Sequence, residues 1–483
     1  MKKIITSVLC TLLLAVACSG TEDENYDTGL RGGPVVSQNL AEQNLLRAME
    51  IVDAAMPAYF EGTTLAMARY YNPYTGARSG EKGSVWMYTA SIEAVNSILN
   101  ALTVQKAQGE TTLYDQHFQR YADLLAQLYD NADFYKGTFT LTSYTQTKPW
   151  TVYGVNRGAA KGTAEVAGIM NVYDDQQWLV RELFEAYKLT KNADFLKQAE
   201  YLTDYVLDGW DCALDANGKQ YGGIPWGPGY VTKHSCSNGP MVSPLVWLHE
   251  FYKGKTDKVT YGYIKVGGAR ATKTVTKEAY YLEFAQAVYD YQKSHLLRTD
   301  GVYADMMGGD DTGGKVAYEE VDGVTYRKHT NLRDAVGDAL SYNSGTMLSG
   351  AADLYRATKD ATYLADLKAL SAASFGYFAK LGETVADHYT YNVSGFNPWF
   401  NNVLMRAYVD AYPAHTAVAP YIDSFQKNLD YAYGRFYNKG MLPTNLLVGW
   451  NRDQGKNNTE GMFIFAYASE YATLARYELE KAN

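Results

Sequence analysis

The sequence predicts an all-α fold, an (α/α)6 toroid of about twelve helices whose long loops form a cleft. Apolar residues recur at the helical spacing of 3.6 residues from about Ser37 to the end of the chain. Short polar links such as Lys191-Asn192 and Lys359-Asp360 separate some of the apolar stretches, which favours antiparallel neighbours. Six such hairpins each carry an apolar face, and closing them into a ring buries all six faces.

The predicted helices are bounded by clusters of Gly, Asn, Asp and Pro, residues that terminate regular structure. In chain order they cover 38–59, 84–105, 113–131, 174–191, 193–208, 240–253, 277–296, 343–358, 361–381, 397–412, 418–437 and 457–481. The irregular segments between them are 138–172, 212–239, 257–275 and 298–341. Alternation of apolar and polar residues predicts small β-hairpins over 138–153 and 259–275.

Composition excludes several classes of protein. The chain has 483 residues, with 44 Lys and Arg against 53 Asp and Glu, a net charge of −9. No basic block is available to neutralise phosphates, so we expect no nucleic-acid partner. Aromatic residues make up 14% of the chain and include 43 Tyr. This aromatic content excludes a disordered chain and favours a protein that contacts carbohydrate.

The N-terminus has the composition of an export signal. Met1-Lys2-Lys3 precedes an apolar run to Ala17 that is too short to span a membrane. The run ends at Cys18 and resembles a bacterial lipobox, so residues 1–17 are predicted to be a lipoprotein signal peptide and Cys18 the lipid-bearing residue. Residues 18–37 are predicted to be a flexible acidic tether, and Ser19-Gly20-Thr21-Glu22-Asp23-Glu24-Asn25 within it resembles the export signal of surface lipoproteins in the Bacteroidetes. We expect an outer-membrane protein facing the cell surface, with the periplasm as the alternative; a plain signal peptide cut near Ala17 also stays open.

The most distinctive local pattern is a pair of adjacent acids, Asp174-Asp175, at the start of a strongly periodic helix. One interpretation is structural: Asp174 caps the helix with Gln177 as its partner, and both acids favour the positive end of the helix dipole. The other is chemical, because glycoside hydrolysis with retention needs one carboxylate as nucleophile and a second as acid/base. Adjacent residues in a helix point about 100° apart, so convergence on one bond requires Asp174 to lie outside the helix.

Five stretches in order make the chemical interpretation specific. They are Asp174-Asp175-x-x-Trp178, Gly222-Gly223-Ile224-x-Trp226, Lys233-x-x-x-x-Asn238-Gly239, Asp300-Gly301-Val302-Tyr303-Ala304-Asp305 and Tyr342-Asn343-Ser344-Gly345-Thr346. This order resembles glycoside hydrolase family 76 over most of the chain, from about 40 to 480. The resemblance implies an (α/α)6 enzyme that cleaves α-1,6-mannan with retention, with Asp174 as nucleophile and Asp175 as general acid/base. It also implies a single catalytic domain over 38–483, and long loops are compatible with endo action.

Other residues near these motifs are candidates for substrate binding, each with a packing or capping role as the alternative. They are Tyr173, Trp178, Trp226, Asn238, Asp305 and Asn343. The scattered histidines and the absence of a Cys cluster give a metal site no support, and we expect no cofactor. Cys212 and Cys236 either form a disulfide or remain separate, since sequence does not fix their distance.

Two further functions stay open at this point. A different (α/α)6 carbohydrate enzyme, such as an uronic-acid hydrolase or a lyase, would need basic residues near the acids, which this sequence lacks around Asp174. A non-catalytic glycan-binding lipoprotein would need neither acid. The expected partners are α-1,6-mannan or manno-oligosaccharide and, through the lipid alone, a membrane; we expect a monomer.

Overall fold

The computed structural model describes residues 39–481, so the predicted signal peptide, Cys18 and the tether over 18–37 lie outside the described residues. Within 39–481 the chain forms twelve α-helices, which confirms the predicted number. They are α1 (Leu40–Tyr59), α2 (Val85–Ala107), α3 (Thr112–Ala132), α4 (Tyr173–Thr190), α5 (Ala193–Asp208), α6 (Gly239–Tyr252), α7 (Lys277–Leu296), α8 (Ser341–Thr358), α9 (Ala361–Phe378), α10 (Asn397–Ala411), α11 (Ala419–Phe436) and α12 (Gly461–Lys481). None of these helices is both long and apolar enough to cross a membrane.

The strands are short and lie between the helices. They are β1 (Phe60–Glu61), β2 (Ala66–Met67), β3 (Tyr70–Tyr71), β4 (Lys136–Thr142), β5 (Thr147–Tyr153), β6 (Lys233–His234), β7 (Lys258–Ile264), β8 (Arg270–Thr276), β9 (Met306–Gly308), β10 (Tyr318–Val321), β11 (Val324–Arg327), β12 (Asp334–Val336), β13 (Lys380–Leu381), β14 (Tyr389–Thr390) and β15 (Thr459–Glu460). The hairpins β4-β5 and β7-β8 confirm the two that were predicted. Two helix boundaries differ from prediction by more than two residues, because β13 follows α9 and β15 precedes α12.

The even-numbered helices form a closed inner ring. Each packs against the next, from α2 through α4, α6, α8 and α10 to α12, and α12 packs against α2. The odd-numbered helices lie outside and pack on their inner neighbours. In the inner helix α8, every residue from Ser341 to Leu354 is buried, and a side chain at Gly345 would come within 3.0 Å of the α10 backbone. The outer helix α3 buries mainly one stripe that includes Tyr121, Leu125 and Leu128. The architecture is the predicted (α/α)6 barrel.

The two ends of the barrel differ in their connections. One outer helix returns the chain between successive inner helices, so all six inner helices run in the same direction. The connections before their N-termini are long and cover 60–84, 133–172, 209–238, 297–340, 379–396 and 437–460. At the other end, most connections are short, as at 191–192 and 359–360. The exception is 253–276, which contains the β7-β8 hairpin. The long connections therefore surround the end where the inner helices begin.

A three-stranded sheet with the order β12-β9-β6 joins two of these long connections. Its register pairs His234 with Met306, so the segment before α6 is fixed beside the segment that follows Asp305. The sequence did not predict this sheet, because strands of two or three residues show no periodicity.

Candidate active site

The two adjacent acids lie in the first turn of α4, on the inner ring. The helix begins at Tyr173, and its N-cap residue Val172 offers no side-chain cap. The capping interpretation is therefore wrong for Asp174, and Gln177 instead donates to the Ser237 carbonyl at 2.6 Å. The expectation that Asp174 lies outside the helix is also wrong. Both acids lie in the first turn of α4, at the end of the barrel where the inner helices begin. The backbone N–H groups at a helix start favour negative charge.

Burial sets the protonation of this pair. Asp175 is only 6% exposed, and burial together with the charge of Asp174 raises its pKa well above the usual range. Burial raises the pKa of Asp174 to about 6, while the Cys236 thiol, the Trp226 indole and the Asp175 backbone N–H act in the opposite direction. Asp174 also keeps part of its surface exposed. Asp174 is consequently the acid that ionises first, and Asp175 the one that retains its proton.

Aromatic side chains lie on one side of Asp174. The Trp226 carbonyl accepts a hydrogen bond from the Tyr173 N–H at 2.7 Å, which ties this loop to the start of α4. The indole stacks on His234, with ring centroids 4.7 Å apart, and contacts Tyr230 at 4.6 Å. Its N–H favours the charged form of Asp174, the carboxylate beside it. A partly exposed indole beside a carboxylate is suited to pack against a sugar ring.

Three polar side chains, those of Cys236, Asp305 and Asn343, lie on another side of the Asp174-Asp175 pair. The Ser235 N–H donates to the Asp305 carbonyl at 2.7 Å, which brings Asp305 next to Cys236. Burial raises the pKa of the Cys236 thiol, and the charges of Asp174 and Asp305 raise it further. Burial also raises the pKa of Asp305, which Asn343 opposes. Asn343 is fully buried, and neither atom of its amide has another partner within hydrogen-bonding distance among the described residues.

Cys212 and Cys236 are both buried and both free, so the structure contains no disulfide between them. Residues 39–481 contain no group of three or more His, Cys, Asp or Glu side chains that could hold a metal ion.

Three predicted substrate ligands are placed in packing positions. Tyr173 is 1% exposed and packs on Tyr205 in the core. Trp178 is also buried, and its ring meets that of Trp399 edge to face at 4.9 Å. Asn238 is fully buried and bonds the backbone of Ile224, accepting from its N–H at 2.8 Å and donating to its carbonyl at 3.0 Å. These positions favour structural roles, whereas Trp226, Asp305 and Asn343 gather around Asp174.

A protein-family model matches the C-terminal part of the chain. The model of glycosyl hydrolase family 76 matches residues 259–473. Over these residues the chain is similar to glycoside hydrolase family 76. The matched region contains Asp305 and Asn343 and begins after the Asp174-Asp175 pair, which comes from the N-terminal part of the same barrel. No curated protein matches the chain.

Solved structures of family 76 proteins share the fold. A family 76 mannosidase from Bacteroides thetaiotaomicron VPI-5482 is 20% identical, with 91% of this chain and 99% of that chain covered and a TM-score of 0.64. A family 76 α-mannanase from Bacteroides thetaiotaomicron is 15% identical over 91% and 97%, with a TM-score of 0.61. An inactive variant of the Salegentibacter sp. HEL1_6 α-1,6-mannanase, with two consecutive aspartates changed to alanine and α-1,6-mannotetrose bound, is 14% identical over 90% and 99%, with a TM-score of 0.59.

Sequence reasoning missed a buried charged cluster. It supports the loops that contain Gly222-Gly223-Ile224-x-Trp226 and Lys233-x-x-x-x-Asn238-Gly239. Lys233 donates to Asp211 at 2.8 Å and to the Gly222 carbonyl at 2.6 Å, and His329 Nδ1 lies 2.7 Å from the same carboxylate. Gly223 has a φ of +79°, and a side chain there would come within 2.4 Å of the Tyr291 ring. The only signal for Lys233 was its place in Lys-x-x-x-x-Asn-Gly; nothing local indicated Asp211 or His329.

Proposed function

We propose that this protein is an endo-acting, retaining α-1,6-mannanase, with Asp174 as nucleophile and Asp175 as general acid/base. The observation that carries the proposal is the buried Asp174-Asp175 pair in the first turn of an inner helix, with Trp226 beside it. The similarity of residues 259–473 to glycosyl hydrolase family 76 supports glycoside hydrolase chemistry.

The proposed reaction has two steps. A carboxylate oxygen of Asp174 attacks the anomeric carbon and forms a glycosyl ester, the glycosidic C–O bond breaks, and Asp175 gives its proton to the departing oxygen. Asp175, now ionised, then takes a proton from water while the water oxygen attacks the anomeric carbon. The ester bond breaks, and Asp174 is released as carboxylate. Two displacements at the same carbon retain its configuration.

The electrostatics support this division of roles. A nucleophile must be ionised and an acid must hold its proton at the same pH. Burial raises the pKa of both groups, but the Cys236 thiol and the Asp175 N–H favour the charged form of Asp174 only. When Asp174 becomes an uncharged ester, its repulsion of Asp175 disappears, so Asp175 gives up its proton more readily at that point.

Three observations support mannan as the substrate. The pKa of Asp175 is raised by burial and by the charge of Asp174, and no cation contributes to the shift, which gives an uronic-acid substrate no support. The structural neighbours are named a mannosidase, an α-mannanase and an α-1,6-mannanase. In the last, changing two consecutive aspartates gives an inactive protein that holds α-1,6-mannotetrose. The long connections around the site are compatible with an open groove and hence with endo action.

The proposal places the enzyme at the cell surface, anchored in the outer membrane by a lipid on Cys18. The support is the lipobox-like sequence and the acidic segment that follows it. Metabolic labelling with an alkyne fatty acid tests the anchor: we expect label in the membrane fraction, and none in Cys18→Ala.

The experiment that tests the function is digestion of unbranched α-1,6-mannan, with products separated by chromatography. We expect a ladder of short oligosaccharides from wild type and from the surface control Asp194→Asn, and none from Asp174→Asn or Asp175→Asn. Mannose as the sole early product would overturn endo action. Intact mannan that the wild type nonetheless binds would replace the enzyme with a glycan-capture protein. Retention is tested by the anomeric NMR signal of the first product, which should be α.

A further inference from the structure

A cavity lies on the barrel axis at the end opposite the Asp174-Asp175 pair. Its volume is about 510 Å³, and the C-terminal halves of all six inner helices line it. Arg181 follows Asp174 on α4 by seven residues, which places it about 10 Å further along the helix axis. Lys188 and Arg356, which are 43% and 49% exposed, stand where the cavity meets solvent. The cavity is therefore separate from the candidate active site.

Most charged groups in this cavity have close partners. Arg406 pairs with Glu93 at 2.6 Å and with Glu182 at 3.4 Å. Asp410 accepts from Arg476 at 3.2 Å through Oδ1 and from Ser349 at 2.9 Å through Oδ2. These pairs satisfy the requirement that a buried charge be compensated nearby.

Arg181 is different. Its side chain is only 6% exposed, yet the nearest carboxylate oxygen, Oδ2 of Asp410, is 3.7 Å from its guanidinium, beyond hydrogen-bonding distance. Its Nε is buried and has no acceptor among the described residues. The guanidinium lies 5.1 Å from the centre of the Trp247 ring, which supplies a cation–π contact but no acceptor. A guanidinium has five N–H donors. Among the described residues, the Nε–H of Arg181 has no acceptor, and its Nη2 group has only the Asp410 carboxylate at 3.7 Å.

We propose that this cavity binds a small oxyanion, of carboxylate or phosphate chemistry, on the guanidinium of Arg181 with Arg476 beside it. An oxyanion accepts two parallel hydrogen bonds from one guanidinium, the geometry in which such bonds are strongest. Burial lowers the pKa of Arg181 and the charge of Arg406 lowers it further, against the opposing charges of Asp410, Glu182 and Asp353. A bound oxyanion would offset the repulsion from Arg406. The cavity has room for the anion and its bound waters. This site does not depend on the proposed mannanase activity.

Isothermal titration calorimetry on the purified protein tests the proposal, with inorganic phosphate and acetate as probes in chloride buffer of constant ionic strength. We expect saturable binding of one equivalent of at least one probe to the wild type. Binding of phosphate alone assigns a phosphate-bearing ligand, and binding of acetate alone assigns a carboxylate. Arg181→Met should weaken that binding at least about tenfold, since hydrogen bonds to a charged group are lost. The matched control Arg120→Met changes an arginine that is 51% exposed on an outer helix and should bind as the wild type does.

Two results overturn the proposal: no saturable heat from either probe with the wild type, or equal affinity in folded Arg181→Met. If circular dichroism shows that Arg181→Met is unfolded, Arg181→Lys takes its place, because it keeps the charge and removes the paired donors. Undiminished binding to Arg181→Lys and to Arg476→Met would then show that the anion binds elsewhere.

Discussion

Lys233 and Asp211 form an ion pair with 2.8 Å between nitrogen and oxygen, and their side chains are only 4% and 0% exposed. The pair holds the loop that contains Gly222 against the segment that leads to Asn238. Removing one partner of such a pair leaves the other charged and buried.

We predict that Lys233→Met lowers the free energy of unfolding by about 3–5 kcal/mol, measured by urea denaturation. Lys82→Met, which removes a partly exposed pair with Glu61, should cost about 0–1 kcal/mol. The double variant Lys233→Met/Asp211→Leu should recover part of the loss. An unchanged urea midpoint in Lys233→Met would show that the pair does not stabilise these loops.

The pH dependence of hydrolysis should respond to Cys236. Activity requires ionised Asp174, whose pKa of about 6 defines the acid limb, so activity rises as the pH rises through this value. The Cys236 thiol lowers that pKa; Cys236→Ala should therefore raise it and move the acid limb of kcat/KM to higher pH. Cys212→Ala is the control, because this buried thiol is influenced by Asp211 and not by Asp174. An acid limb that moves equally in both variants would assign the effect to general loosening of the fold.

Varying the leaving group should distinguish the catalytic roles of Asp174 and Asp175. An aryl α-mannoside with an acidic phenol departs without protonation, so Asp175→Ala should retain much more activity on it than on mannan. Asp174→Ala should lose about 1,000-fold or more on both substrates, since no covalent intermediate forms. Steady-state rates on the two substrates decide the assignment, and the reverse pattern would exchange the two roles.

Neutralising Asp175 should stabilise the protein. Its folded pKa lies above the unfolded value, so its contribution to stability is fully present below the unfolded pKa and is lost as the pH rises. Asp175→Asn removes this loss. We expect its Tm to exceed that of wild type by a margin that widens between pH 4 and pH 8, with the exposed Asp194→Asn showing no such trend. A constant margin would indicate that Asp175 does not carry the linked proton.

Trp226 should contribute directly to binding. Packing an aromatic face on a sugar removes apolar surface from water, which is worth about 1.5–3 kcal/mol for a large side chain. In an Asp174→Asn background, Trp226→Ala should weaken manno-oligosaccharide binding about tenfold or more by calorimetry. Tyr318→Ala changes an aromatic residue that is 52% exposed on the β10-β11 hairpin and should have no effect. Equal affinity in the two variants would remove Trp226 from the sugar site.

The fold was more predictable than the site. Helices repeat their apolar residues over several turns, so twelve of them were predictable to within a few residues, and errors arose where a two-residue strand such as β15 adjoins a helix. The motifs gave the positions of the site but not the direction of each side chain. Tyr173 and Trp178 are close to Asp174 along the chain yet point into the core, since a helix turns about 100° per residue. Asp211 and His329 meet Lys233 only because distant loops fold together.

The unequal connections at the two ends of the barrel affect how such a protein can change. A long segment before an inner helix, such as 133–172 or 297–340, can gain or lose residues at a cost that grows only slowly with its length. The two-residue link at 191–192 has no such latitude, because it fixes how α4 turns back into α5. Insertions and exchanges between relatives are thus expected to accumulate at one rim, and substrate preference can diverge there while the ring of helices keeps its shape.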